Sequence, residues 1–504
     1  MSLLVRRAGE GLAILTWIGG QHLLRAQLAR VSPWLASKWA RRIDRQGGPW
    51  LASYCRRHGA LLTKIGQFVA SRPDLLPLDY VDACAGLRDQ ARPSPSALIR
   101  LQLDVAYEHR TADHLARIDD APIAAASFGQ VHRAWLTDGT LVAVKIQHPG
   151  LAPLVACDLW LLRLSLRLFA LVVPRIPLQL IAEEIARTAK EEQDYLHEGL
   201  AADRLRSALA GTGVLVPRVF WAHTREKVLV MEFATGTTLA QTDLATLSAE
   251  RRRDIAGKLI DAYLTMLVEI GYFHCDPHAG NLIVDGDRLW LIDFGMTSTI
   301  DARERALYRR FLDRLRSEDT DGMVDVLCEL GQVLPGTDRA ALKDLARTVY
   351  SELGNLSPNA FKGSRRQLEL GERVMNFIRR MEGLVLPRHT ILLSRGMGLL
   401  EGVCTELVPD ENFVQLARPR LRRLFSPWRT ASEAWADLQR FWRDLRALPT
   451  RIEDALEART AGPDLTPLLC AVLLVAALQL PDGWFRLTAL IALALGLVVS
   501  LRRR

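Results

Sequence analysis

Apolar residues recur along this chain with two periods, and the change between them separates predicted strands from predicted helices. An alternating pattern predicts strands through Val131, over residues 141–145 and over residues 227–233. An Asp-Gly pair at residues 138–139 lies between the first two of these strands. Such a pair between apolar runs predicts that the two strands form a hairpin.

Helical spacing of apolar residues dominates the other segments. It predicts one helix from Ile181 to Leu205, and it predicts that residues 238–272 and 301–405 are mostly helical. Prolines and serines at 91–97 interrupt the pattern and predict a linker. The Ala-Thr-Gly sequence at 234–236 follows the third strand and is expected to be a hinge between two lobes.

Two apolar runs without charged residues lie near the C-terminal end, at 465–480 and 487–501. Each is shorter than the roughly 20 residues that span a bilayer, although flanking residues could extend both. We expect a transmembrane helical hairpin here, and a buried hairpin of a soluble domain is the alternative. Arginine-rich stretches flank the pair, so the positive-inside tendency places both ends and the preceding domain in the cytoplasm.

The composition narrows the possible partners. The chain has 504 residues, of which 49% are hydrophobic, enough for a two-lobed core with additional segments. A net charge of +8 and a pI near 9.3 favour an anionic partner. The sequence contains no zinc-binding spacing or RNA-binding signature, so a membrane surface is preferred over nucleic acid. Seven cysteines without a C-x-x-C pair argue against a disulfide framework.

The first 43 residues are strongly basic. Glu10 is their single acidic residue, and seven arginines and lysines interleave with apolar residues such as Leu12 and Trp17. This pattern predicts an amphipathic helix on a membrane surface. An arginine-rich segment that is poor in acidic residues is also typical of an organellar transit peptide, which remains the second interpretation.

The most specific chemistry lies between residues 274 and 295. His-Cys-Asp-Pro-His-Ala-Gly-Asn occupies 274–281, and Asp-Phe-Gly follows at 293–295. Phosphoryl transfer of the protein-kinase type uses this set. We predict that Asp276 is catalytic and orients or deprotonates the attacking hydroxyl. Asn281 and Asp293 are predicted to bind the Mg²⁺ that bridges the phosphates of ATP, since oxygen ligands suit this ion.

A phosphate-binding loop is predicted within residues 121–134. Gly129 and Val131 keep the last part of the kinase loop G-x-G-x-x-G-x-V, whereas alanines replace its first two glycines. Alanine disfavours positive φ, so we expect a stiffer loop. Lys145 in the next strand is the predicted phosphate-contacting, catalytic lysine. The residues assigned to nucleotide binding here are Ala124, Ala125, Ala126, Ser127, Phe128, Gly129, Val131, Lys145 and Glu232.

A strand lysine of this kind needs a carboxylate partner on a helix. The predicted helix at 181–205 carries the acidic run Glu-Glu-Gln-Asp at 191–194. Glu192 is the predicted partner of Lys145, and Asp194 is expected to reach the metal or the loop. A solvated acidic helix face is the alternative interpretation of this run.

Taken together, the motifs resemble those of the UbiB/ADCK atypical kinases over about residues 50–415. The K-x-G-Q signature of these kinases stands at 64–67, their alanine-rich loop at 124–127 and their E-x-D element at 192–194. The H-x-D-P-H-x-G-N and DFG motifs complete the resemblance.

The resemblance implies that the K-x-G-Q helices cover the active site and restrict the groove for a protein substrate. Lys64, as a further catalytic residue, and Gln67 would then point toward the nucleotide. On spacing alone, Lys64 could equally be a surface lysine beside an amphipathic helix. His278 stands where protein kinases carry a lysine near the γ-phosphate, which puts phosphorylation of proteins in trans in doubt.

The expected fold is α+β: a two-lobed protein-kinase-like fold with an N-terminal helical K-x-G-Q extension and a C-terminal transmembrane helical hairpin. The expected segments are a basic amphipathic N-terminal segment (1–45), the helical extension (46–118), a small lobe (119–233), a large lobe (234–415), a basic helical linker (416–462) and the membrane hairpin (463–504).

The predicted function is that of a membrane-anchored atypical kinase or ATPase that uses ATP and Mg²⁺ and supports ubiquinone or other isoprenoid quinone biosynthesis. The quinone role comes from the resemblance alone. Expected partners are ATP, a membrane lipid or quinone precursor, and quinone-biosynthesis proteins, without nucleic acid. The expected location is the bacterial inner membrane, with the catalytic domain facing the cytoplasm.

Two other functions remain open. One is a pseudokinase scaffold that binds nucleotide and lipid to organise a biosynthetic complex. The other is a small-molecule phosphotransferase like the aminoglycoside or choline kinases, which share the spacing between the catalytic Asp and Asn.

Overall fold

The computed structural model describes residues 2–70, 78–85, 87, 93–170, 178–330, 338–355 and 388–425. The chain divides into two compact units, residues 1–424 and 425–504. The helices and strands given below all lie in the first unit.

Four helices form an N-terminal extension: α1 (Ser2–Val31), α2 (Pro33–His58), α3 (Leu61–Ala70) and α4 (Leu78–Ala85). Ser32 caps α2, because its side chain accepts a hydrogen bond from the backbone amide of Leu35 at 3.4 Å. Between α2 and α3 the chain turns sharply at Gly59 (φ +61°) and Ala60 (φ +51°). The basic N-terminal segment is therefore helical, as expected.

Five strands form the antiparallel sheet of the small lobe: β1 (Leu115–Ile118), β2 (Ala124–Ala125), β3 (Gly129–Leu136), β4 (Leu141–Gln147) and β5 (Val228–Glu232). Their order is β1–β3–β4–β5, with β2 paired to β3. The register places Lys145 between Val131 and Leu229. Gly139, in the turn between β3 and β4, has φ +84°. The predicted strands and hairpin are confirmed.

Five helices accompany the sheet: α5 (Ser96–Ala106), α6 (Thr111–His114), α7 (Leu151–Ala170), α8 (Leu178–Glu191) and α9 (Tyr195–Ala208). The single helix predicted at 181–205 is wrong, because the chain breaks between α8 and α9. The carboxylate of Asp194 accepts hydrogen bonds from the amides of Leu196 and His197 at 3.1 and 3.2 Å. This N-cap satisfies amides at the start of α9 and begins a new helix there.

The large lobe begins with short strands and one long helix: β6 (Thr237–Thr238), α10 (Ala249–Leu264), β7 (Tyr272–His274), β8 (Leu282–Asp285), β9 (Arg288–Leu291) and β10 (Thr297–Thr299). Its remaining described helices are α11 (Ala302–Arg316), α12 (Thr320–Glu329), α13 (Arg339–Asn355), α14 (Arg388–Leu407) and α15 (Phe413–Leu424). One small antiparallel sheet has the order β6–β8–β9, and β7 pairs with β10. These pairings place the ends of β7 and β9, which lead into the two catalytic motifs, in one lobe.

Two apolar cores lie in the extension and the small lobe. One lies beneath the five-stranded sheet and includes Ile99 and Leu103 of α5. The other joins α2, α3 and α4 to α7 and α8, and it includes Phe128 from the predicted phosphate loop. The loop is therefore packed against the N-terminal extension.

The expected fold needs one correction. Within the described ranges, no helix is both long enough and apolar enough to span a bilayer. The runs at 465–480 and 487–501, on which the predicted transmembrane hairpin rests, lie outside the described residues. Each run is also shorter than the roughly 20 residues of a spanning helix. The architecture of the described chain is the α+β, kinase-like part without that hairpin.

The predicted segment boundaries remain predictions, although two elements do not follow them. Helix α15 runs through the boundary placed after residue 415 and packs on α10 and α11 of the large lobe. Strand β1 ends at Ile118 and is paired with β3, so the small-lobe sheet begins before residue 119.

Candidate active site

A buried lysine–glutamate pair lies at the centre of the small lobe. The Nζ atom of Lys145 on β4 is 2.7 and 2.8 Å from the two carboxylate oxygens of Glu198 on α9. An Asp293 oxygen lies 3.5 Å from the same ammonium group. Burial lowers the pKa of Lys145, but the carboxylates of Asp293 and Glu198 outweigh it and hold this pKa well above its usual value. Lys145 is therefore a fixed cation.

The partner predicted for Lys145 is wrong. Glu192 instead forms an ion pair with Lys64 of α3, with 3.1 Å between Nζ and Oε2. The break between α8 and α9 is the reason, since it places Glu192 in the connection and Glu198 one turn into α9. Glu198 then forms the two short hydrogen bonds to Lys145 on β4. Lys64 does lie at the site, as the resemblance implies.

Asp293, the first residue of the DFG motif, has an unusual backbone. Its φ of +66° is in the left-handed region, which non-glycine residues adopt only when the surroundings impose it. The carboxylate accepts a hydrogen bond from the amide of Gly295 at 3.2 Å. Burial raises the pKa of Asp293, but Lys145 and Lys64 outweigh it and hold this pKa below its usual value. The result is an ionised carboxylate on a residue whose backbone lies in the left-handed region.

The catalytic loop is tied to the DFG segment through His274. Its Nδ1 accepts a hydrogen bond from the amide of Asp276 at 3.2 Å, and its Nε2 donates to the carbonyl oxygen of Asp293. These bonds need a neutral imidazole, and burial lowers the pKa of His274 accordingly. The side-chain Nδ2 of Asn281 donates to the Asp276 carbonyl oxygen at 3.1 Å. The predicted catalytic and metal-binding residues are thus connected by hydrogen bonds between the side chains of His274 and Asn281 and the backbone.

A residue that the sequence did not indicate contacts the predicted catalytic carboxylate. The guanidinium Nη2 of Arg395, on α14, lies 3.0 Å from Oδ1 of Asp276. The next residue, Gly396, allows the close approach of this helix: a Cβ there would lie 3.2 Å from the carbonyl oxygen of His274. Arg395 is far from the motif in sequence, so spacing carried no signal for it.

The predicted phosphate loop closes as a tight turn. The amide of Ala126 donates to the carbonyl oxygen of Gly129 at 2.8 Å. A Cβ on Gly129 would lie 2.6 Å from the carbonyl oxygen of Ile146 and 2.2 Å from the hydroxyl of Tyr195, so only glycine fits there. Phe128 points into the core shared with the extension and is 4% exposed.

One small cavity joins these elements. It has a volume of about 40 Å³, room for roughly three or four waters at 10–15 Å³ each. A nucleoside triphosphate is larger than this volume, so only part of it fits within the cavity as it stands. The lining residues are Lys64, Ala126, Ser127, Phe128, Gly129, Lys145, Glu192, Tyr195, Glu198, His274, Asp276, His278, Asn281, Asp293, Gly295 and Met296.

The donor groups around this cavity fit Mg²⁺. Asp293 and Asp276 supply carboxylates and Asn281 supplies an amide oxygen. Mg²⁺ binds through one or two carboxylates and completes its octahedral shell with water and substrate phosphate oxygens. The predicted metal ligands are therefore compatible with the ion that kinase chemistry uses.

Several residues predicted to bind nucleotide have other partners. The side chain of Gln67 donates to the carbonyl oxygen of Leu87 at 3.4 Å, and Asp194 caps α9. An oxygen of Glu232 accepts from the amide of Arg218 at 3.2 Å. Ala124 and Ala125 pair with β3, whose Val131 lies opposite Ala124. In this structure these residues stabilise the framework around the cavity.

Comparison with known proteins identifies relatives of this chain. The model of the ABC1 atypical kinase-like domain matches residues 86–327. An uncharacterized protein of Synechocystis is 30% identical over 361 residues, which cover 68% of this chain and 86% of that protein. The chain belongs to the ABC1 atypical kinase family. Another uncharacterized Synechocystis protein is 29% identical and aligns over 77% of this chain and 69% of its own length.

A plant ABC1 protein and a solved bacterial structure extend the comparison. The chloroplastic protein Activity of bc1 Complex Kinase 7 of Arabidopsis thaliana is 30% identical over 75% of this chain, which spans 55% of the plant protein. A Mycobacterium tuberculosis protein solved in complex with erythromycin has a TM-score of 0.51 at 21% identity. The alignment covers 79% of this chain and 98% of that one, and it indicates a shared fold.

The ABC1 domain match contains the central pair and the two catalytic motifs, but it does not contain every residue of the candidate site. Lys64 precedes the matched range and Arg395 follows it. The site therefore also uses one helix on each side of the ABC1 domain: α3 lines the cavity through Lys64, and α14 contacts Asp276 through Arg395.

Proposed function

We propose that this ABC1 protein is an atypical kinase or ATPase that uses ATP and Mg²⁺. One observation carries the proposal: Lys145, held between Glu198 and Asp293, faces the same cavity as Asp276 and Asn281. Phosphoryl transfer is mainly positioning and charge stabilisation. This set supplies a fixed cation, an ionised metal-binding carboxylate and a carboxylate for the attacking group.

Each residue has a separate task in this proposal. Lys145 positions the phosphates through its charge, and Asp293 and Asn281 bind the metal, which when present neutralises charge on the phosphate oxygens. Asp276 orients the attacking hydroxyl or water and accepts its proton. Arg395 fixes the carboxylate of Asp276 through the 3.0 Å contact.

We further propose that the acceptor is water or a small or lipid-borne hydroxyl and not a protein. The ion pair of Lys64 with Glu192 brings α3 to the wall of a cavity of about 40 Å³. A peptide needs an open groove beside the catalytic carboxylate, whereas water does not. A covered groove removes the positioning of a protein hydroxyl and leaves hydrolysis possible.

The wider role that we propose is UbiB-type support of isoprenoid quinone biosynthesis at a bacterial membrane surface. The quinone role rests on the resemblance alone. Support for the membrane surface comes from the junction of α1 and α2, where Val31 and Trp34 are 84% and 65% exposed. Exposed Arg30 and Lys38 flank them, a combination that suits an anionic lipid surface.

The test compares phosphate release with phosphate transfer. Purified full-length protein receives radiolabelled ATP and Mg²⁺, with a generic protein substrate, with and without vesicles of anionic phospholipid. We expect vesicle-stimulated phosphate release and little labelling of protein. Lys145→Ala and Asp276→Asn should abolish release, while Asp287→Asn, at an exposed turn, should not.

Two results would contradict parts of this proposal. Robust protein labelling without lipid-stimulated release would exclude the proposed acceptor and the membrane role. Binding of Mg-ATP by the wild type without any turnover would instead identify a nucleotide-binding scaffold.

A further inference from the structure

A charged pair lies in the interior of the N-terminal extension, away from the active-site cavity. Arg7 of α1 is 2% exposed and Asp158 of α7 is 0% exposed. The Nε and Nη2 atoms of Arg7 each lie 2.5 Å from one carboxylate oxygen of Asp158. Ionised groups are seldom buried so completely unless they are paired and hydrogen-bonded, because desolvation is costly. The basic character of α1 therefore does not explain why this pair is buried.

The same guanidinium group also binds the end of α2. Its Nη1 donates to the carbonyl oxygen of His58 at 2.7 Å, and its Nη2 donates to that of Gly59 at 3.0 Å. The last carbonyl groups of a helix lack intrahelical partners, and Arg7 supplies one for His58. The carbonyl oxygen of Gly59 also accepts a hydrogen bond from the amide of Leu62 at 3.2 Å. The hydroxyl of Tyr54 donates a hydrogen bond to the backbone carbonyl oxygen of Arg7 at 3.0 Å. One side chain thus joins three helices: α1, α2 and α7.

The position of these carbonyl groups connects Arg7 to the active site. Gly59 and Ala60 form the corner at which the chain leaves α2, both with positive φ. The next helix is α3, which carries Lys64 to Glu192 at 3.1 Å. The direction of α3, and with it the position of Lys64, depends on this corner.

Asp158, the other member of the pair, supports the helices on the side of the cavity where Glu192 lies. Asp158 lies on α7, which packs against α8, and α8 ends directly before Glu192. Phe128 of the phosphate loop lies in the core formed by α3, α7 and α8. The buried pair therefore connects the helix that carries Lys64 to the helices that support Glu192 and the loop.

We propose that Arg7 and Asp158 are positioning residues that hold Lys64 over the phosphate site and so keep the acceptor groove covered. This inference rests on the proposed function of the cavity. It assigns the basic N-terminal helix a role in selecting the acceptor, through a contact between Arg7, which precedes the matched ABC1 domain, and Asp158, which lies within it.

The test removes both charges together. Breaking a buried pair by one substitution leaves an unpaired charge, whereas replacing both partners by apolar residues often preserves the fold. The variant Arg7→Met with Asp158→Leu is therefore compared with the wild type in the full-length chain. Arg6→Met is the matched control, since Arg6 is the neighbouring residue and its side chain is 67% exposed in a pair with Glu10.

Amide hydrogen exchange gives the first readout, and it does not require activity. We expect exchange at residues 61–66 to accelerate roughly tenfold or more in the double variant, as local opening becomes easier, and to stay unchanged in Arg6→Met. Unchanged exchange in a folded double variant would overturn the proposal. If the wild type has no turnover, the proposed function fails, and this readout still decides whether Arg7 holds α3.

The ratio of protein labelling to phosphate release gives the second readout. Loosening Lys64 should raise this ratio about as much as Lys64→Ala does, and adding the double substitution to Lys64→Ala should change it no further. A purely structural role would lower both activities together and leave the ratio unchanged. Additive effects on the ratio would show that Arg7 does not act through Lys64 and would also overturn the proposal.

Discussion

At the scale of single residues, the site is organised by charge. Lys145 lies between two carboxylates, Lys64 pairs with a third, and the pKa of Asp293 is held low by both lysines. A buried charge that loses its partner costs several kcal/mol, roughly 3–5. Neutralising each of these carboxylates should therefore affect the protein in a different way.

Removing the charge of Asp293 tests its role in metal binding. Asp293→Asn keeps the shape of the side chain but removes the carboxylate that suits Mg²⁺. We expect the thermal stabilisation by Mg-ATP to disappear, measured as the shift in Tm with and without EDTA. Asp287→Asn, at an exposed turn, should keep that shift. An equal shift for Asp293→Asn and wild type would exclude this metal assignment.

The two glutamates can be separated by the same substitution. Glu198→Gln should lower kcat for ATP turnover by about 10²-fold, because Lys145 loses the partner that positions it. Glu192→Gln should retain most of the turnover and raise protein labelling, since it frees Lys64. Steady-state phosphate release from both variants decides between them. A larger loss of turnover in Glu192→Gln than in Glu198→Gln would instead support Glu192 as the functional partner of Lys145.

At the scale of elements, the catalytic loop depends on a helix from the far end of the large lobe. Helix α14 brings Arg395 to Asp276, and Gly396 lets its backbone approach the carbonyl group of His274. A glycine inside a helix costs about 1 kcal/mol relative to alanine. Gly396 has a steric reason to be glycine, because a Cβ there would crowd the carbonyl oxygen of His274.

Two glycines on α14 provide a matched comparison. A Cβ on Gly396 meets the His274 carbonyl oxygen at 3.2 Å, while a Cβ on Gly398 has no described atom within 4 Å. Gly396→Leu should push α14 from the loop, withdraw Arg395 from Asp276 and lower kcat at least about tenfold. Gly398→Leu should leave kcat unchanged and keep or raise Tm. Equal activities in the two variants would contradict the proposed positioning by α14.

At the scale of the whole molecule, the structure holds several imidazole groups neutral. Burial is the main cause that lowers the pKa values of His114, His148 and His274 below the usual 6.5. His148 lies behind the phosphate loop and bonds the carbonyl oxygen of Ala126 at 2.9 Å. Protonation of such groups favours the unfolded chain, where the charge is solvated.

This linkage predicts acid sensitivity in a defined range. The folded pKa values are lowered, so their contribution is complete above about pH 6.5 and is lost as pH falls toward the folded values. We expect Tm to be constant from about pH 8 to 7 and to fall toward pH 5. His148→Gln should reduce that slope, whereas replacement of His109, whose side chain is 77% exposed, should not. A Tm independent of pH over this range would refute the linkage.

The sequence alone identified four polar and charged residues that line the cavity. Asp276, Asn281, Asp293 and Lys145 were predicted from spacing, and the structure brings all four to one cavity. Such motifs are readable because a strand, a tight turn and a short loop fix nearby residues relative to one another. The antiparallel strands around Lys145 were predicted for the same reason, since their alternation and turn are local.

Only the tertiary structure decided which charged groups meet. The N-cap at Asp194 breaks the predicted helix, so Glu198 pairs with Lys145 and Glu192 pairs with Lys64. The periodicity of the apolar residues did not indicate this break. Arg395 and Arg7 reach their carboxylates across 119 and 151 residues of chain. Long-range ion pairs depend on how helices pack, and a basic residue looks the same in sequence whether it faces solvent or a buried carboxylate.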